Sequence, residues 1–99
     1  MDNDKDRVIR SVAEELGVAG DKLVEIASSN RYPGEDVAQL FQELRHSMIA
    51  AIGDDRENLA HWLETPNEAL KGRPIDQLTS VQGFQHVIEY LDIASFKWR

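Results

Sequence analysis

The segment Trp62-Leu63-Glu64-Thr65-Pro66-Asn67-Glu68-Ala69-Leu70-Lys71-Gly72-Arg73-Pro74-Ile75-Asp76-Gln77-Leu78 constrains this chain more than any other, because it stops and restarts the backbone repeatedly within one short stretch. Pro66 pushes Thr65 out of the helical region, so a helix arriving through Leu59, Trp62 and Leu63 has to end there, and Asn67 offers a side-chain oxygen to cap a new turn. Gly72 can take the positive φ that closes a helix, and Pro74 suits the first position of another. Residues 68–71 and 74–78 therefore read as two short helical turns. Trp62, Leu63, Leu70, Ile75 and Leu78 are the apolar anchors that fold this bent connector onto a core.

On both sides of the connector, apolar residues recur at helical spacing. Val37, Leu40, Phe41, Leu44, Met48, Ile49 and Ile52 trace one buried face of a central helix over 36–53, and Ala50 and Ala51 remove bulk near its end, where another helix can approach. Gly53 terminates it, and Asp54 or Asp55 caps the helix that leads into the connector. Beyond the connector, Thr79 with Gln82 three residues on reads as a capping box. It launches a final helix with Val81, Phe84, Val87, Ile88 and Leu91 on one face and Tyr90 on its flank.

Upstream, Asp4 or Asp6 caps a first helix carrying Val8, Ile9, Val12, Ala13 and Leu16. Gly17 ends it, and Leu16-Gly17-Val18 turns into a second short helix with Leu23, Val24, Ile26 and Ala27. Ser28 to Gly34 reads as a loop. No strand pattern, internal repeat or low-complexity segment interrupts this series, so the sequence predicts an all-α fold. It is a single compact domain of about five or six helices, two of them short turns around the Thr-Pro-Asn connector. Ninety-nine residues make one core of modest stability, about 5 to 10 kcal/mol.

The formal charge of −7, with a pI near 4.8, opposes binding to a polyanion or to an acidic membrane surface. The absence of cysteine excludes disulfides and thiolate metal sites and is compatible with a reducing cytoplasm. The start, Met-Asp-Asn-Asp-Lys-Asp, lacks the basic and apolar regions of a secretory signal. The longest apolar-leaning run, 47–53, is far short of the roughly 20 residues that cross a bilayer. The expectation is a soluble cytoplasmic protein.

Catalytic and metal chemistry find little support. Glu43-Leu44-Arg45-His46 has the Glu-x-x-His spacing of di-iron bundles, but such sites need two copies, and neither His61 nor His86 has a glutamate three residues before it. Glu57 with His61 and His86 with Glu89 read as helical pairs. Asp54 with Asp55 and Glu14 with Glu15 are adjacent pairs that point apart on a helix. No nucleophile elbow or phosphate loop is present. The expectation is a non-enzyme with no metal and no cofactor. Trp62 sits on a buried stripe, and Asn67, Gly72 and Pro74 are backbone devices. The last residues, Phe96, Lys97, Trp98 and Arg99, form an aromatic and basic end on an acidic chain, a composition common in interface anchors.

The ordered Trp62-Leu63-x-Thr65-Pro66-Asn67-x-Ala69-Leu70-x-Gly72 followed by Pro74-Ile75-Asp76-x-Leu78 resembles the C-terminal, toxin-binding domain of the Xre, MbcA and ParS antitoxins. The likeness extends upstream through 36–53 and downstream through Ser80-Val81-Gln82-Gly83-Phe84 to Leu91. It implies a two-part organisation, with residues 1–34 a shortened version of the helix-turn-helix domain that relatives carry and 35–99 the toxin-binding domain. Two helices that simply complete the core are the other reading of 1–34. The resemblance further implies an antitoxin whose partner is a RES-domain toxin acting on NAD, neutralised by covering the toxin's NAD pocket with the C-terminal portion. On that implication Phe96, Lys97, Trp98 and Arg99 are the toxin-contacting residues. A homodimer or a hetero-oligomer with the toxin is the implied assembly. The alternative is a DNA-binding autoregulator of the Xre type without an inhibitory role. Residues 1–34 carry Asp2, Asp4, Asp6, Glu14, Glu15, Asp21 and Glu25 against Lys5, Arg7, Arg10, Lys22 and Arg31, which offers no net positive charge for phosphate contacts.

Overall fold

The structure, a computed structural model, describes residues 3–97, and its helices form where the apolar spacing requires them. In chain order they are α1 (Asn3–Leu16), α2 (Gly20–Ser29), α3 (Val37–Ile52), α4 (Arg56–Glu64), two 3-10 turns (Glu68–Leu70 and Pro74–Gln77) and α5 (Val81–Lys97). The only sheet-like feature among the described residues is an isolated bridge between Asn67 and Gly72. The all-α expectation holds.

The stripe on α3 buries Val37, Leu40, Phe41, Leu44 and Met48. Its most extensive contact is with α5, whose Phe84, Val87 and Leu91 are equally buried. Phe41 meets Phe84 edge to face at 4.9 Å, Ser47 bonds Asp92, and Ser95 reaches the Ala50 carbonyl. These three contacts advance together along both helices, so α3 and α5 run in the same direction. That arrangement needs a long return path, which α4 and the connector supply. Each large side chain fully buried at such a seam contributes about 1.5 to 3 kcal/mol. Ile9, Val12, Ala13 and Leu16 of α1 and Leu23 of α2 belong to the same hydrophobic cluster.

The termini of these helices are closed by the residue types expected, with some shifts. Asp36 accepts from the Ala38 amide at 3.0 Å. Asp55, and not Asp54, caps α4 by accepting from the Glu57 and Asn58 amides at 2.9 and 3.3 Å. Gly17 ends α1, where the Val18 amide returns to the Ala13 carbonyl. Asp4 and Asp6 lie inside the first turn of α1, where they favour the positive end of the helix dipole without acting as the cap. The α2 helix runs on through Ser28 and Ser29. The Ser28 hydroxyl donates back to the Val24 carbonyl at 3.0 Å, so a residue type common in loops is accommodated in the last turn.

The start of α5 also differs from the sequence reading. Ser80, one residue after Thr79, is the cap: its hydroxyl accepts from the Gly83 amide at 3.0 Å. Leu78 closes the preceding turn and its carbonyl is held by Tyr32, so the helix begins one position later and Gln82 points to solvent.

Candidate functional site

The connector is a rigid bend, built residue by residue. Thr65 is extended, at φ −104° and ψ 133°, as Pro66 demands. Asn67 then turns the chain, accepting from the Ala69 amide at 2.8 Å. The main chains of Asn67 and Gly72 bond each other reciprocally: the Asn67 amide donates at 2.9 Å and the Gly72 amide at 3.2 Å. Closing that ring places Lys71 in the left-handed region at φ 60° and ψ 40°, with Gly72 at φ 150°. The residue that closes the turn is thus Lys71, and Gly72 supplies the second unusual φ, which a side chain would resist. Leu70 is buried beneath, and Gln77 donates to its carbonyl at 3.2 Å. Pro74 opens the second turn at its first position. Leu63, Leu70, Ile75 and Leu78 plant the bend in the core.

Trp62 departs from a plain core position. It is half-buried, and its indole lies nearly parallel to the Tyr90 ring, 18° apart with centroids at 6.4 Å. The pair links α4 to α5. One turn further along α5, Ile93 is 62% exposed, the large hydrophobic most open to solvent among the described residues. The backbone of α5 continues through Phe96 and Lys97. Trp98 and Arg99, the rest of the tail assigned from the sequence, lie outside the described residues.

Electrostatics organise the surface around the bend. Arg73 grips Asp76 with two bonds, Nε to Oδ2 and Nη2 to Oδ1, both 2.9 Å. These hydrogen bonds hold the Asp76 carboxyl below its ordinary value and push the Arg73 guanidinium up. Lys22 of α2 pairs with Glu64 at the end of α4, at 2.8 Å. Arg7 with Asp4, Arg10 with Asp21 and Arg45 with Glu15 complete the ion pairs among the described residues. Glu57 with His61 and His86 with Glu89 are not among them, because helical neighbours on an exposed face gain little by pairing. Lys5, Arg31, Arg56 and Lys71 have no carboxylate partner within pairing distance among the described residues.

Other depressions are shallow. The groove between α3 and α5 is lined by Gln39, Glu43, His46, Ile88 and Asp92, and its polar floor is the 2.9 Å bond from Ser47 to Asp92. Among the described residues no cluster of His, Asp or Glu side chains is placed to hold a metal ion. No helix of the described residues is long and apolar enough to cross a membrane.

Sequence reasoning did not anticipate the Tyr32 bond to Leu78, the left-handed Lys71 or the Ser47–Asp92 contact. The signals were present but nonspecific: an aromatic before Pro33-Gly34, a residue flanked by Leu70 and Gly72, and a hydroxyl set in an apolar stripe.

The bend, the stacked Trp62–Tyr90 pair and the exposed Ile93 are the surface features that stand out among the described residues. No curated protein matches the chain. The family model for the antitoxin Xre/MbcA/ParS C-terminal toxin-binding domain matches residues 49–94. That span takes in the end of α3, all of α4, the whole bend and α5 as far as Ala94. Residues 49–94 of this chain are thus similar to the C-terminal toxin-binding domain of the Xre/MbcA/ParS antitoxins.

Proposed function

We propose that the chain is the antitoxin of a two-gene toxin–antitoxin pair, and that it neutralises a RES-domain, NAD-consuming toxin by binding it and occluding the NAD pocket. The observation that carries the antitoxin role is the match of residues 49–94 to a toxin-binding domain. The RES partner and the occlusion are what likeness to relatives of this kind implies. In this reading the chain performs no chemistry of its own. The contact region is the outer end of α5 with Phe96, Lys97, Trp98 and Arg99, where an aromatic and cationic end meets a pocket built to receive an anionic dinucleotide. Residues 1–34 act as a shortened N-terminal unit packed on the toxin-binding part, and the protein works in the cytoplasm, where NAD is consumed.

The test is co-expression with a RES-domain protein encoded beside this chain, reading growth and cellular NAD. The full chain restores both. A variant lacking residues 96–99 keeps its helical circular dichroism and loses rescue. Rescue by the truncated variant overturns the tail assignment, and failure of the full chain to bind the RES protein overturns the partner assignment.

A further inference from the structure

Lys71 is the only non-glycine among the described residues with a positive φ. An L side chain in that region crowds its own backbone, and glycine or asparagine takes it at less cost. The turn is held by the reciprocal Asn67–Gly72 bonds, the Asn67 cap on Ala69 and the Gln77 bond to Leu70. Lysine gains nothing visible in return within the fold. Its side chain is exposed, and no carboxylate pairs with it among the described residues, on a chain carrying a net charge of −7. Its neighbour Arg73 is committed to Asp76. A strained residue held by everything around it, with an uncommitted side chain aimed outward, is the pattern of a contact kept for binding.

We propose that the Glu68–Lys71 tip of the bend is a second docking point for the toxin, with the Lys71 ammonium pairing a carboxylate on the toxin surface. A carboxylate fits better than a phosphate because the tip offers one cation with exposed Glu68 three residues away. Phosphate recognition calls for several converging donors. The pre-set backbone adds to the fit, since the loop is ordered before the partner arrives. This inference rests on the antitoxin reading, and it concerns a surface separate in sequence from the C-terminal tail.

The experiment measures two quantities on the full chain: the thermal midpoint of the free protein, and the affinity for the RES-domain protein at low and high salt. Lys71→Gly is expected to raise the midpoint by about 3 °C, because the strained conformation suits glycine. The same variant is expected to weaken the complex about fivefold, the scale of one exposed ion pair. Lys71→Arg keeps the affinity, and Lys71→Glu weakens it further and flattens the salt dependence. If Lys71→Gly is more stable yet binds as tightly as the parent chain, the docking point is refuted while the antitoxin reading stands. If the parent chain itself does not bind the RES protein, the antitoxin reading fails and the docking point with it.

Discussion

The hydroxyl of Tyr32 donates to the backbone carbonyl of Leu78 across 46 positions of sequence, at 2.6 Å. The bond ties the loop before α3 to the turn before α5, and the Tyr32 ring also meets Phe84 edge-on at 5.7 Å. Tyr32→Phe keeps the ring and removes only the hydroxyl, leaving a buried carbonyl without its donor. The expected loss is about 1 to 2 kcal/mol, read as a lower urea midpoint with an unchanged slope.

The same residue sets an alkaline limit. Burial pushes the Tyr32 hydroxyl above its ordinary value of 10.0, with the Asn30 side chain offsetting part of the shift. A folded-state pKa raised above the unfolded one means the unfolded chain loses its proton first. This contribution is fully present below pH 10.0 and is lost as pH rises through the higher folded value. Urea midpoints taken across that range should fall more steeply for the parent chain than for Tyr32→Phe.

Gly83 sits where the Pro74–Gln77 turn crosses the first turn of α5. A Cβ there would lie 1.6 Å from the Gln77 carbonyl oxygen, which is backbone and cannot swing away. Gly83→Ala is expected to cost at least about 3 kcal/mol or to prevent folding, despite alanine's higher helix propensity. Circular dichroism melts beside the parent chain measure it, and a neutral result would mean that the two backbones do not cross there.

The caps give a finer check. Ser80→Ala and Asp55→Ala should each cost about 1 kcal/mol, because each removes the acceptor for a first-turn amide. Thr79→Ala and Asp54→Ala, one residue away, should stay within about 0.5 kcal/mol of the parent. Equal effects within either pair would contradict the observed hydrogen bonds.

The N-terminal helices are expected not to read DNA. Their cations Arg7 and Arg10 are spent on Asp4 and Asp21, and Lys22 on Glu64. Electrophoretic shifts with the chain's own upstream region should show only weak, salt-sensitive, nonspecific binding. A sequence-specific shift at nanomolar protein would restore the autoregulator reading.

Most of the helical plan was legible in the sequence because it rests on local rules: the three-four recurrence of Leu40, Phe41, Leu44 and Met48, the stop at Thr65-Pro66, and the Asn67 cap. What escaped depends on distant partners. Ser80 and not Thr79 caps α5 because Leu78 is engaged by Tyr32, a residue that no local window contains. Lys71 and not Gly72 adopts the left-handed turn because the Asn67–Gly72 pairing fixes where the ring closes. Trp62 reads as core from its spacing, and it packs against the core only half-buried, with its indole stacked on Tyr90 of α5. The toxin-binding resemblance rested on an ordered motif, whereas an exposed Lys71 without a carboxylate partner among the described residues becomes visible only once the backbone is known.

The family match begins at Ile49, partway along α3. Phe41, which meets Phe84 edge to face, and Leu44, buried in the same core, fall before that boundary. The matched stretch is thus smaller than the core that supports it. Splicing this chain to another at the match boundary would cut α3 in half and strip the lining of α5. A successful chimera has to move the suture back to the loop ahead of Asp36.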